Sequence, residues 1–131
     1  MDTVTQIVLG TAIAEGGFRK NLGRKSLLFG AFCGWFPDSD VLLHGFGTWE
    51  SMVSHRAETH SLFCLPLIAV PFGVLGHLWG KKGGRLQWVH LAFWALVTHP
   101  LLDTFTSYGT QLLAPFDSTR FAWDGVGIID F

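Results

Sequence analysis

Hydrophobic positions gather in four stretches along the chain, with polar links between them. The first runs from Thr3 to about Phe18 and is interrupted by Glu15. The second runs from about Ser26 to Phe36 and stops at Pro37. The third, Ser61 to Gly80, contains no Asp, Glu, Lys or Arg, and the fourth runs from about Leu86 to Leu102. Each stretch predicts a helix. A membrane-spanning helix needs about 17–25 mostly apolar residues, a length the third stretch meets and the fourth approaches. The first two are short, so they are expected to tilt, to re-enter, or to extend into buried polar flanks. Gly10 and Ala14 stand four apart in the first, a spacing that suits close helix contact in lipid. The expected fold is all-α: a small membrane bundle of about four hydrophobic helices with polar site loops on one face, forming a single domain over residues 1–131. A soluble bundle with an unusually apolar core is the alternative.

Composition favours the membrane reading. Hydrophobic residues make up 49% of the 131 and charged residues only 15%, with a mean hydropathy of +0.36. An average soluble domain is less apolar and more heavily charged. A net charge of −1 offers no basic surface, so no nucleic-acid partner is expected. Cys33 and Cys64 lie inside apolar runs and read as small hydrophobes rather than a disulfide framework or a thiolate zinc site. Met1-Asp2-Thr3 lacks the basic start of a signal peptide, so the first stretch is expected to be retained.

The charges order the helices. Arg19, Lys20, Arg24 and Lys25 fill the link between stretches one and two; Lys81, Lys82 and Arg85 fill the link between three and four. An up-down arrangement places both basic links on one side, and the positive-inside bias makes that side cytoplasmic. The other, outward side then collects three further segments: Pro37-Asp38-Ser39-Asp40, His55-Arg56-Ala57-Glu58-Thr59-His60-Ser61, and His99-Pro100-Leu101-Leu102-Asp103.

These segments supply three histidines and three aspartates. His99 and Asp103 are four apart and share a helix face. Asp38 and Asp40 follow a proline turn that can aim both carboxylates inward, although a solvated turn or helix cap explains them equally well when taken alone. His55 and His60 are five apart, a poor spacing for one helical face, but a turn capped at Thr59 lets both point to one place. Imidazole and carboxylate together suit a divalent metal, zinc in the first place and manganese in the second. Burying so many ionisable groups near lipid without a metal or mutual pairing is costly. Asp38, Asp40, His55, His60, His99 and Asp103 are therefore the candidate metal ligands. Arg56 is a candidate to bind a phosphate or steady an oxyanion, or else to pair with Asp38 or a lipid head group. Glu58 is a candidate base or outer partner. Gln6 lies near the same face and is a candidate to support a ligand. Glu15, by contrast, sits toward a basic link, where Arg19 or a lysine can pair with it. His77 and His90 belong to the basic side. No serine nucleophile elbow, phosphate loop or dinucleotide fingerprint is present.

The pieces TQIVLGTAIAE, PDSD, HRAETHS and above all THPLLDTFTSYGTQLLAPF resemble the YdjM-type inner-membrane proteins, described as membrane-bound metal-dependent hydrolases. The resemblance covers nearly the whole chain. That family is held to be distantly similar to zinc-dependent phospholipases C, all-helical hydrolases with clustered histidine and aspartate ligands. The resemblance implies hydrolysis of a phosphoester, with His99 and Asp103 matching an H-x-x-x-D ligand motif. Membrane lipid or a lipid-linked phosphoester is then the expected partner. A non-catalytic metal-binding or transport-related membrane protein is the alternative. Many members carry a histidine after the N-terminal threonine where this chain has Gln6. Members also continue past the Ile129-Asp130 position, so a shortened C-terminus is expected here.

Overall fold

A computed structural model describes residues 3–39, 60–106, 109–114, 116–123 and 125. Among the described residues five α-helices run in the order α1 (Thr3–Gly17), α2 (Arg19–Leu22), α3 (Lys25–Trp35), α4 (Cys64–Gly80) and α5 (Arg85–Asp103), with a 3₁₀ turn at Phe36–Ser39. Among the described residues no strand forms, apart from one isolated antiparallel bridge between Thr110 and Phe121.

The helices pair as two antiparallel hairpins, and glycine makes both pairings close. A methyl group on Gly10 would overlap the Gly30 carbonyl, one on Gly30 would overlap Gly10 and Ala14, and one on Gly34 would overlap the backbone of Gln6. Gly30 and Gly34 thus present to α1 the small-residue seam that Gly10 and Ala14 present to α3. On α4, Gly73 lies against Val89, and Gly76 and Gly80 lie against Trp88. Trp88, fully buried on α5, meets Phe29 edge-to-face at 5.3 Å, which ties the two hairpins together.

The basic links meet at one end of the bundle. A side chain on Gly83, which adopts a φ of +71°, would overlap Leu22 from the other link. Lys25 Nζ donates to the Trp79 carbonyl at 3.0 Å and lies 5.1 Å from the Trp79 ring centre. Trp88 Nε1 donates to the Lys82 carbonyl at 2.7 Å. Glu15 pairs with Arg19 within the same end. Both partners are well exposed, so this pair contributes little to stability.

The spanning length expected of the third and fourth stretches needs correction: no described helix is long and apolar enough to cross a membrane. The physical reason for the third is local. The helix begins at Cys64 rather than Ser61, because residues 61–63 are spent on a turn. Ser61 Oγ donates to the Ala114 carbonyl and accepts from Phe63 N at 3.2 Å, while Leu62 N donates to the Leu112 carbonyl at 3.0 Å. The 17 residues that remain rise about 26 Å, against a hydrocarbon core of about 30 Å. In α5 the last turns carry Thr98, His99 and Asp103, which face polar partners. Large apolar side chains nevertheless point outward from all four longer helices, among them Val4, Leu28, Leu67 and Trp94. A surface of this kind suits contact with an apolar environment.

Candidate metal centre

The end of the bundle opposite the basic links brings together four side chains from three separate parts of the chain. Asp38 comes from the 3₁₀ turn that closes α3, His60 from the turn before α4, and His99 and Asp103 from the last turns of α5. One ligand atom from each lies within 4.8 Å of the others. His99 Nε2 is 3.2 Å from Asp38 Oδ1 and 3.7 Å from Asp103 Oδ2. His60 Nε2 is 3.3 Å from Asp103 Oδ2 and 3.9 Å from Asp38 Oδ1. Ligands around a tetrahedral zinc at 2.0–2.2 Å stand about 3.3–3.6 Å apart, so these four separations are close to the edges of such a tetrahedron.

Local sequence explains how each side chain is aimed. His99 and Asp103 project from one helix face because they are four apart. Pro37 is buried at the start of the Asp38 turn, and Ser39 Oγ closes that turn by donating to the Phe36 carbonyl at 2.7 Å. Thr3 Oγ1 donates to Asp38 Oδ2 at 3.4 Å, leaving Oδ1 to face the imidazoles. His60 is held by the Ser61 turn, and its ring meets that of His99 edge-on at 4.9 Å.

The protonation of His99 follows from its neighbours. Nδ1 lies 2.7 Å from the Gly34 carbonyl. A carbonyl only accepts, so Nδ1 carries the hydrogen, and in the neutral ring Nε2 presents a lone pair. That lone pair points at carboxylate oxygens from two different residues. Acceptor facing acceptor is repulsive unless a cation stands between them, either a proton on the ring or a metal ion. Burial holds the His60 pKa below the ordinary imidazole value. The adjacent Asp103 opposes that shift and the neighbouring His99 adds to it. A neutral imidazole with its other nitrogen anchored to a backbone carbonyl is the usual arrangement of a metal-binding histidine. Two carboxylates and two imidazoles are also the donor set that neutralises a divalent cation, and the residues present fit one.

Of the six ligands expected from the sequence, the structure thus assembles Asp38, His60, His99 and Asp103. Asp40, His55, Arg56 and Glu58 lie outside the described residues. His77 and His90 sit on the halves of α4 and α5 nearer the basic links, away from the cluster. Gln6 reaches the site: its Nε2 donates to Asp103 Oδ1 at 3.1 Å and to the His99 carbonyl at 3.2 Å. Sequence reasoning missed the roles of Gly34 and Thr3. Backbone carbonyls carry no side-chain signal; the four-residue spacings of Gly10 and Ala14 on α1 and of Gly30 and Gly34 on α3 are the traces of the close approach there.

Comparison with known proteins gives a family for the chain. Residues 1–131 match the family model described as YdjM inner membrane protein. An uncharacterized protein of Bacillus subtilis (strain 168), YfhP, is 26% identical over 140 aligned positions, which take in 99% of this chain and 41% of the relative. The chain therefore spans about two-fifths of the length of that relative. No solved structure matches it.

Proposed function

The chain belongs to the YdjM inner membrane protein family, and on that premise we propose that it is a membrane-bound, metal-dependent hydrolase of phosphoesters. One observation carries the reading: two aspartates and two histidines from three segments place four donor atoms within 4.8 Å of one another, on one end of an apolar helical bundle. A divalent cation held there, zinc by preference, supplies Lewis acidity toward a phosphoryl oxygen and lowers the pKa of water. Asp38, His60, His99 and Asp103 hold the cation. The Gly34 carbonyl keeps the His99 lone pair aimed inward, and the buried walls around His60 and Asp103 exclude bulk water from that side. Asp38, 12% exposed, marks the side open to substrate. Glu58, two positions before His60 in the chain, is proposed as the base, and Arg56 as the partner of the phosphoryl charge. Lipid-linked phosphoesters are the proposed substrate class, because apolar side chains cover the outside of the bundle that carries the site.

A test of this reading uses the detergent-purified protein. Metal content is measured first, followed by turnover of bis(p-nitrophenyl) phosphate and of a phosphatidylcholine in mixed micelles. Hydrolysis that is lost with a chelator and restored by zinc or manganese is the expected result. Bound metal with no turnover of either compound, under conditions where the site is loaded, would reject the hydrolase.

A second reading is favoured by the number of protein donors. Four protein ligands close a tetrahedral zinc site, as structural sites do, whereas catalytic sites keep one position open. On that reading the chain is a non-catalytic metal-binding membrane protein. Cobalt substitution separates the two: azide or phosphate perturbs the cobalt spectrum of an open site and leaves that of a closed one unchanged.

The site is proposed to face outward from the inner membrane, away from the basic links. Single cysteines at Gly84, in the exposed turn between α4 and α5, and at Ser118, in the exposed segment beyond α5, test this in a background without Cys33 and Cys64. A membrane-impermeant thiol reagent applied outside the inner membrane is expected to modify position 118 and spare position 84. The reverse pattern would place the site in the cytoplasm.

A further inference from the structure

Gln6 is 1% exposed, deep in the first turns of α1. Its amide nitrogen donates two hydrogen bonds, and both end on α5: one on Asp103 Oδ1 at 3.1 Å, one on the His99 carbonyl at 3.2 Å. The two acceptors belong to residues of the metal centre, and they lie 93 and 97 positions away in sequence. Turning the amide over would set its oxygen against two acceptors, so the chemistry of the contacts dictates its orientation. In that orientation Gln6 Oε1 is buried with no hydrogen-bond partner among the described residues. An unsatisfied buried acceptor costs about 1–3 kcal/mol. A residue needed only to fill space would avoid that cost as leucine or methionine. The amide nitrogen therefore has a task that offsets the buried oxygen.

The task is visible in how the two oxygens of Asp103 are divided. Oδ1 is engaged by Gln6, while Oδ2 faces His60 Nε2 at 3.3 Å and His99 Nε2 at 3.7 Å. A carboxylate held by one oxygen presents the other alone. We infer that Gln6 is a positioning residue that holds Asp103 Oδ1 and so makes Oδ2 the single Asp103 oxygen offered to the cation. The inference rests on the metal-centre reading above and goes beyond it. The neutral amide is suited to this role. Two carboxylates already balance a divalent cation. A lysine at position 6 would compete with that cation, and a glutamate would oppose both acceptors on α5. The second donor bond, to the His99 carbonyl, locks the same turn of α5, so one side chain sets the register of both ligands.

The experiment loads detergent-purified full-length protein with Co²⁺ and records the visible d–d absorption, whose intensity falls as coordination rises from four to five or six. The wild-type protein is expected to give the stronger band, with Asp103 bound through one oxygen. Gln6→Met, close in shape and lacking the donor, is expected to weaken the band as Asp103 swings to bind through both oxygens. It should also raise the Co²⁺ Kd by about 10–100-fold, the usual effect of losing such an outer partner. Circular dichroism and gel filtration check that the variant is folded, and Gln6→Leu serves as a second variant. Variants with the wild-type spectrum and affinity would overturn the role of Gln6 and leave the metal centre standing. A wild-type protein that takes up no Co²⁺ would overturn the metal centre itself. Should neither variant fold, zinc-edge X-ray absorption of the wild-type protein decides: carboxylates bound through one oxygen in the first shell support the inference, and a bidentate carboxylate rejects it.

Discussion

Asp103→Asn is expected to lower divalent-metal affinity by at least about a hundredfold while the helical bundle stays intact. Loss of an outer hydrogen-bond partner already costs about 10–100-fold in affinity, and Asp103 is placed to touch the ion directly. The amide is nearly isosteric with the carboxylate. Its oxygen can still accept from Gln6 Nε2, now 3.1 Å from Asp103 Oδ1, so the packing of α1 against α5 is kept. What disappears is the negative charge at Oδ2, between His60 and His99. In the metal-free protein that charge is buried, and its removal is not expected to reduce stability. The loss should therefore show only when metal is added. With metal far above both dissociation constants, a hundredfold weaker site forfeits about 2.7 kcal/mol of ligand-linked stabilisation. Thermal melts with and without zinc read this directly: a similar metal-free melt for both proteins, and a much smaller zinc-induced rise for the variant. His77→Gln is the matched control, because His77 sits beside the Lys81 turn at the other end. Equal zinc-induced rises in wild type and Asp103→Asn would remove Asp103 from the ligand set.

Gly34→Ala is the second change expected to have a large effect, although no side chain is lost. The added methyl would overlap the backbone of Gln6, and backbone cannot rotate away. Helices α1 and α3 must then separate. Forcing extra volume into a packed contact costs about 1–3 kcal/mol, and here the damage reaches the metal centre by two routes. Moving α3 draws the Gly34 carbonyl from His99 Nδ1, now at 2.7 Å. Moving α1 draws Gln6 from Asp103. The variant is thus expected to melt earlier and to bind metal more weakly, even though residue 34 is not a ligand. Gly16→Ala on α1 is the opposite case. A side chain there meets nothing within 4 Å, and replacing glycine by alanine within a helix gains up to about 1 kcal/mol. Its proximity to the end of α1, at Gly17, trims that gain. Melting temperatures of the two variants should move in opposite directions from wild type. A Gly34→Ala protein with unchanged melting and metal affinity would mean that the α1–α3 seam does not set the site.

Much of this molecule is written locally. The apolar stretches that begin at Thr3, Ser26 and Leu86 correspond to helices beginning at Thr3, Lys25 and Arg85, because runs of apolar residues bounded by Pro, Gly and charge leave few other structures. The i, i+4 relation of His99 and Asp103 is likewise a property of one helix. Even the gathering of Asp38, His60, His99 and Asp103 at one end follows from simple alternation: with basic links at one end of an up-down bundle, the intervening segments share the other. Tertiary structure decided the rest. Ser61 to Phe63 read as helix by hydropathy, yet they form a turn, because Ser61 finds the carbonyl of Ala114, 53 residues away. The tautomer of His99 depends on a carbonyl 65 positions distant, and the binding mode of Asp103 depends on an amide 97 positions distant. The last two contacts are held in place by a seam where Gly10, Gly30 and Gly34 let the backbones of α1 and α3 approach within the space of a missing methyl group. Hydropathy and spacing report which groups a segment carries. The distance between segments is set by packing, and packing determined which of those groups point at one another.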